Sequence, residues 1–149
     1  MKRIFYFFVL MALLLNCVFV FAENADKAPQ FYDIAFNGEY YVAVGEKGSV
    51  ITSRDGLDWS LGSVGSDKNL YGVTWGLNKF VAAGEEGVIF TSEDGKNWTK
   101  RDSGISSDIY GIEGNGDKFI AVGDMGKILV SPDGIRWSRI RMATMEVLK

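Results

Sequence analysis

The chain has 149 residues, with 16 basic and 19 acidic side chains, no histidine and a single cysteine, Cys17. The absence of histidine removes the commonest general base and the commonest zinc ligand, and we expect neither a metal site nor a cofactor. The net charge of −3 argues against nucleic acid as a partner, because phosphate binding requires a clustered basic surface.

The N-terminal segment has the pattern of a secretory signal peptide. Lys2 and Arg3 precede an apolar run over residues 4–22 that contains no acidic residue. We predict a signal peptide over residues 1–22, cleaved after Ala22, and a short linker over residues 23–30. The chain would then be exported to the periplasm or the extracellular space. Two other interpretations stay open, an uncleaved membrane anchor and a lipoprotein signal at Cys17.

The rest of the chain repeats itself with a period of 39 residues and no insertion or deletion. The three copies cover residues 31–69, 70–108 and 109–147, and they form the predicted repeat domain over 31–149. Eight columns are identical in all three copies. They are the columns of Tyr32, Ala43, Gly45, Gly48, Ser53, Asp55, Gly56 and Trp59. A period of this size is typical of a four-stranded propeller blade.

Each copy contains four short runs that are rich in β-branched and aromatic residues and bounded by Gly, Asn or Asp. In the second copy these runs are LYGVTW, KFVAAG, VIFTS and NWTK. Such runs predict strands joined by tight turns, and the Asp-Gly before the fourth run is a strong hairpin signal. We therefore predict an all-β fold of three four-stranded antiparallel blades, a partial or oligomer-completed β-propeller, with strand one nearest the axis.

The sequence S-x-D-G-x-x-W closes the third run of every copy. We expect it to act as a folding device, in which the Asp carboxylate accepts backbone N–H groups, Gly takes a left-handed conformation and Trp packs over the hairpin. The residues of this motif are Ser53, Asp55, Gly56 and Trp59 in the first copy, Ser92, Asp94, Gly95 and Trp98 in the second, and Ser131, Asp133, Gly134 and Trp137 in the third.

The motif resembles the Asp-box of bacterial neuraminidase-type (BNR) repeats, although the sialidase form has one more residue between Asp and Trp. The surrounding VAVGEKGSVITS and FVAAGEEGVIFTS resemble blades of the photosystem II stability and assembly factor family. The resemblance covers the whole exported chain. It implies propeller blades with the boxes at the blade periphery, and it is poor at naming a function because many unrelated proteins share the motif.

Functional residues are expected where the copies differ on the inner strand. Asp33 stands where the other copies have Gly. Glu113 and Thr74, also a candidate binding residue, share the column two residues further along. By strand alternation these side chains face the axis, where they would bind a cation or polar ligand or would simply be hydrated. Trp75 is the only tryptophan outside the boxes, and it suits either ligand stacking or packing between blades.

Two charged groups are candidates for binding a partner. The turn acids Glu46, Glu85 and Asp124 share one column and would form an arc on one rim, attractive to a basic partner or merely exposed turn residues. Arg136, Arg139 and Arg141 form a small basic face, and the assembly-factor family that the chain resembles holds its client on an arginine-rich surface. The identical tyrosines Tyr32, Tyr71 and Tyr110 are interpreted as core or inter-blade packing.

The favoured function is a non-catalytic binding or assembly scaffold with a protein or glycan partner. A sialidase-like or other glycan hydrolase is an alternative, with Asp33 and Glu113 as the carboxylate pair. A truncated piece of a longer repeat protein is another. Three blades are fewer than the four to eight that close a ring, so two copies are expected to pair as a homodimer and complete a six-bladed ring.

Overall fold

The structure is a computed structural model that describes residues 28–141. This part of the chain forms twelve strands in three four-stranded antiparallel sheets, one in each sequence repeat. The strands are β1 (Phe31–Phe36), β2 (Tyr41–Gly45), β3 (Ser49–Ser53) and β4 (Ser60–Ser63), then β5 (Leu70–Gly76), β6 (Lys79–Gly84), β7 (Ile89–Ser92) and β8 (Thr99–Arg101), and finally β9 (Ile109–Gly114), β10 (Phe119–Gly123), β11 (Lys127–Ser131) and β12 (Ser138–Ile140). The all-β prediction is confirmed.

The predicted signal peptide at 1–22, most of the linker, and residues 142–149 at the end of the third repeat lie outside the described residues. None of residues 28–141 form a helix with the length and hydropathy that a bilayer crossing requires.

Strand order follows chain order within every sheet, so each sheet is the antiparallel meander that the turn pattern predicts. The prediction of the fourth strand was wrong in position, because NWTK begins at residue 97 whereas β8 covers Thr99–Arg101. The reason is local. The backbone N–H of Asn97 donates to Asp94 Oδ1 at 2.8 Å, and this bond keeps Asn97 and Trp98 in the turn.

The three sheets stack face to face, with the inner strands β1, β5 and β9 in contact side by side. Two apolar layers result. The first layer joins Val42, Val44 and Val50 of the first sheet to Val73, Phe80 and Phe90 of the second. The second joins Val81, Ala83 and Ile89 of the second sheet to Ile112, Phe119 and Leu129 of the third. The middle sheet is therefore buried on both faces.

The three S-x-D-G-x-x-W turns have the same hydrogen bonds. In the middle repeat the Ser92 hydroxyl donates to Asp94 Oδ1 at 3.0 Å, the backbone N–H of Gly95 donates to Ser92 Oγ at 2.8 Å, and Trp98 Nε1 donates to the Gly95 carbonyl at 3.1 Å. The Asp94 carboxylate also accepts the backbone N–H groups of Lys96 and Asn97. Gly95 has φ +72°, a conformation that favours glycine.

Donors around the box carboxylates stabilise the charged form. The backbone N–H three residues further along is the largest cause in each repeat, and it lowers the pKa values of Asp55, Asp94 and Asp133 below the ordinary value of 3.8. A carboxyl whose pKa is lower in the folded chain contributes stability that is present in full above its unfolded pKa. That contribution is lost as the pH falls through the lower folded pKa.

We predict that Asp94→Ala lowers the melting temperature at pH 7 by about 5 °C, because exposed hydrogen bonds to a charged group are worth ~1 kcal/mol after solvent screening. The difference in melting temperature between Asp94→Ala and wild type should stay constant from about pH 7 to pH 5 and become smaller below about pH 4. Thermal melts followed by circular dichroism across this range measure it. A difference that is the same at pH 3 and pH 7 would contradict the assignment.

Candidate functional site

Each inner strand contains one residue that is skipped by the pairing with its neighbour. In β1 the residues on either side of Tyr32 pair with Gly45 and Val44, which are adjacent in β2. Tyr71 in β5 and Tyr110 in β9 are skipped in the same way. An extra residue of this kind is a β-bulge, and bulges commonly redirect a side chain. The bulges redirect the same tyrosine in all three repeats.

The three tyrosines form a row across the inner strands. Ring centroids are 5.7 Å apart between Tyr32 and Tyr71, and 5.6 Å apart between Tyr71 and Tyr110. Tyr32 is 43% exposed, Tyr110 is 53% exposed, and Tyr71 between them is half-buried, so the row lies on the surface with its outer rings exposed. The interpretation of these residues as inter-blade contacts agrees with the stacking, but their interpretation as core was wrong because the bulge turns them towards solvent.

The turn acids lie beside this row, at the end of the strands that pair with it. Each begins a three-residue 3-10 turn, at Glu46–Gly48, Glu85–Gly87 and Asp124–Gly126. The backbone N–H of Glu85 donates to the Asn69 carbonyl at 2.9 Å, and the Asn69 N–H donates back to Glu85 Oε2 at 3.0 Å. Glu46 makes the same pair of bonds with Gln30.

The acids give the tyrosine row a negative environment. Hydrogen bonding to the Asp124 carboxylate is the largest cause that raises the pKa of the Tyr110 phenol above its ordinary value of 10.0. Desolvation, followed by the charge of Glu46, raises the pKa of the Tyr32 phenol. Both phenols therefore remain neutral donors throughout the physiological range. The surface combines aromatic rings with nearby carboxylates, which is the chemistry that attracts cationic side chains.

The structure places Asp33 and Glu113 on either side of the middle inner strand. Asp33 Oδ2 accepts the Val73 N–H at 2.9 Å, and its Oδ1 accepts the Ile34 N–H at 2.9 Å. Glu113 Oε1 accepts the Thr74 hydroxyl at 3.0 Å and its neighbouring backbone N–H at 3.0 Å. Both carboxylates thus join adjacent sheets through β5, a role that the alternation argument did not foresee.

Trp75 lies at the edge of the first apolar layer. It is half-buried, and its ring centroid is 4.6 Å from that of Phe80 at a tilt of 58°. Phe80 is its cross-strand neighbour in the same sheet, so the predicted packing between blades stays a prediction. A ligand-stacking role for the exposed part of the ring stays a prediction.

The arginines of the predicted basic face are exposed at the outer side of the third sheet. Arg136 Nε donates to Asp133 Oδ2 at 2.9 Å, and its side chain is 82% exposed. Arg139 lies in β12 and Arg141 follows it, both exposed. This face is far along the sheet from the tyrosine row, because β12 is the outermost strand and β9 the innermost.

Clefts also open between adjacent sheets on their outer side. One of them, of about 400 Å³, is bounded by Lys79, Asp94, Arg101 and Ile135. It is open to solvent and lined by charges of both signs, which do not select one ligand class. Among residues 28–141, no group of three or more acidic or other ligating side chains is positioned to hold a metal ion.

The tyrosine row is the part of the site that sequence reasoning missed. One signal was available, because an aromatic residue that is identical in all copies and carries a hydroxyl is a costly choice for a core. The bulge itself could not be predicted from the sequence. It depends on a contact between the turn that follows strand two and the residue that precedes strand one. Only the structure brings Glu46 next to Gln30, sixteen residues away in the chain.

No family model matches this sequence, and no curated protein matches it either. Solved structures do. A structure described as YCF48 bound to D1 peptide is 21% identical with a TM-score of 0.65, and the match covers 74% of this chain and 40% of that one. YCF48 from Cyanidioschyzon merolae is 22% identical with a TM-score of 0.63, over 78% of this chain and 41% of that one.

The WD40 beta propeller domain of Doa1 is 12% identical with a TM-score of 0.60, and the match covers 72% of this chain and 38% of that one. The chain thus spans about two fifths of the length of the structures it matches. At these identities the likeness shows the fold and nothing further. The three sheets of this chain are accordingly blades of β-propeller type.

Proposed function

We propose that this chain is a non-catalytic, exported binding module of the propeller type, whose S-x-D-G-x-x-W turns are Asp-boxes of the BNR type. Its partner is a protein segment that carries basic side chains. The observation that carries the proposal is the surface row of Tyr32, Tyr71 and Tyr110, with its two outer rings exposed and its middle ring half-buried, beside a line of carboxylates. Tyrosine is enriched at binding hot spots because it offers a large rigid surface and a hydroxyl.

The tyrosine row suits lysine or arginine side chains in particular. A cation within about 6 Å of an aromatic centroid is attracted by the ring, and nearby carboxylates add to that attraction. The rings repeat every 5.6–5.7 Å, so an extended segment lying across the inner strands meets one ring after another. One of the similar structures holds a peptide, which supports a peptide as the class of ligand here.

Catalysis is the weaker candidate. A hydrolytic pair would need carboxylates that are free to meet substrate, whereas Asp33 and Glu113 both accept hydrogen bonds from β5. These bonds suit a role in joining blades. We therefore place glycan hydrolysis behind peptide binding.

The proposal is tested with pairs of short fluorescein-labelled peptides, one of each pair rich in Arg and Lys and the other carrying Glu and Asp at the same positions. Anisotropy titrations should show binding of the basic peptides that weakens with added salt. Tyr71→Ala should weaken it about tenfold or more, while Tyr71→Phe should retain most of it because the ring remains.

The matched control is Tyr40→Ala, which removes a tyrosine that contacts Arg54 away from the row and should leave the dissociation constant unchanged. The proposal would be wrong if acidic peptides bound as tightly as basic ones, or if Tyr71→Ala and Tyr40→Ala had equal effects. Intact mass of the chain recovered from the periplasm tests export separately, with Glu23 expected as its first residue.

A further inference from the structure

The two end sheets each have one face that no other sheet covers within residues 28–141. On the first sheet this surface, the leading face, consists of Ile34, Phe36, Tyr41, Ile51 and Leu61. Pairing places these residues on one side, since Ile34 is opposite Ala43, which is opposite Ile51, which is opposite Leu61. Ile34 in β1 is 52% exposed and Leu61 in β4 is 59% exposed, so large apolar side chains of this face lie in water on both edge strands of the sheet.

The third sheet has a corresponding surface on its opposite side. This trailing face consists of Ile120, Val122, Ile128, Val130 and Ile140, which pair across β10, β11 and β12. Val122 is 49% exposed and Ile140 is 43% exposed. A protein that leaves two such surfaces in water carries a docking site or an aggregation liability at each.

The repeat shows what these faces are built to contact. In the repeat alignment, Ile34, Tyr41 and Ile51 correspond to Val73, Phe80 and Phe90 of the middle sheet. These three residues are at most 4% exposed because they pack on the first sheet. The leading face is therefore a second version of a surface that already receives a neighbouring blade.

The trailing face has the same relation to the opposite surface of the middle sheet. In the repeat alignment, Ile120, Val122 and Ile128 correspond to Val81, Ala83 and Ile89. These three residues are 0% exposed because they pack on the third sheet. At both junctions inside the chain, a surface equivalent to the trailing face packs on a surface equivalent to the leading face. The two faces that remain uncovered, the leading face and the trailing face, are therefore complementary to each other.

One polar and one steric detail of the internal junctions have counterparts on the two end faces. At the junction of the second and third sheets, Lys79 Nζ donates to the Asp133 carbonyl at 3.0 Å. Lys118 and Asp55 occupy the same two columns, on the trailing and leading sides respectively. A Cβ on Gly95 would meet Val42 of the preceding blade at 2.7 Å, whereas among the described residues nothing lies within 4 Å of the position that a Cβ on Gly56 would occupy.

We propose that the trailing face of one copy of this chain docks on the leading face of a second copy, and that two such contacts close a ring of six blades. Contacts between unlike faces close into a ring when the rotation per unit permits it, and six blades lie within the usual four to eight. The ring would bring Tyr110 of one copy beside Tyr32 of the other. The proposal does not depend on what the tyrosine row binds.

The test uses the chain recovered after expression of all 149 residues, with its first residue read by intact mass. Multi-angle light scattering over a dilution series should give twice the mass of one chain. Ile34→Asp and Val122→Asp place a charge within the leading and trailing faces respectively, and each should give a monomer. Met125→Asp is the control, since Met125 is 83% exposed in a turn outside both faces.

Mixing the two monomeric variants distinguishes docking of unlike faces from any symmetric contact. The Ile34→Asp chain keeps a sound trailing face and the Val122→Asp chain keeps a sound leading face, so the equimolar mixture should form a heterodimer that neither variant forms alone. Circular dichroism melts verify that both variants are folded.

A wild-type chain that is monomeric at every concentration would overturn the proposal. A dimer that survives both substitutions would also overturn it, and so would a mass that rises with concentration without a plateau.

Discussion

Gly84→Ala is expected to lower the melting temperature by about 10 °C or more. A Cβ at this position would lie 1.9 Å from the Asn69 carbonyl oxygen and 2.8 Å from Leu70 Cα, and both contacts are with backbone that cannot move aside. The φ angle of Gly84 is −174°, which any residue adopts, so the cost arises from lack of space alone.

The same close approach positions the candidate site. It brings the Glu85 N–H to the Asn69 carbonyl at 2.9 Å, and the bulge that carries Tyr71 follows directly. We therefore expect Gly84→Ala to disturb the tyrosine row as well as the fold.

Gly62→Ala is the matched control for this prediction. Gly62 also lies in a strand with an ordinary backbone conformation, but the nearest atom to a Cβ there is the Val50 carbonyl oxygen at 3.8 Å. Its melting temperature should stay within about 3 °C of wild type or rise slightly, because alanine reduces the freedom of the unfolded chain. Melts followed by circular dichroism compare the two, and equal melting temperatures would refute the steric argument.

Local turn chemistry explains why so much of the fold could be predicted. Asp-Gly and the G-[ED]-x-G turns specify hairpins from a few adjacent residues, so β6 has the predicted bounds, Lys79–Gly84. The prediction of the fourth strand failed because the Asp94 carboxylate holds backbone N–H groups up to Asn97 in the turn. Because of the Asp94 side chain, β8 begins at Thr99 and not at Asn97, where the sequence pattern predicts its start.

The site depended on contacts between distant residues and was harder to predict. Strand alternation placed Asp33 and Glu113 towards the axis, but it could not show that both would bond to Val73 and Thr74 of the adjacent blade. Alternation also assumes regular pairing, and the bulge at Tyr32 breaks it. Functional readings based on strand periodicity are therefore least secure at the bulges, where side chains are redirected.

Phe80→Ala is expected to cost about 3–5 kcal/mol of folding free energy. The Phe80 ring is fully buried in the middle sheet and packs on Trp75, with a centroid distance of 4.6 Å. Neighbouring strands are held on both sides, so the cavity cannot collapse and most of the cost remains. Urea denaturation measures the loss as a lower midpoint at an unchanged slope.

Tyr41 occupies the same column in the first sheet, where it stacks on Phe36 with ring centroids 4.4 Å apart and stays partly exposed. In a monomer, Tyr41→Ala should cost about 2 kcal/mol, less than Phe80→Ala, because part of the removed surface is already in water. If a second copy covers the leading face, Tyr41 becomes the equivalent of Phe80, and its cost should approach that of Phe80→Ala at protein concentrations above the dimer dissociation constant. We therefore compare the losses of folding free energy in Tyr41→Ala and Phe80→Ala at low and at high protein concentration. Their ratio reports whether a second copy packs on the first blade. A ratio that does not change with concentration would mean that the leading face stays in water.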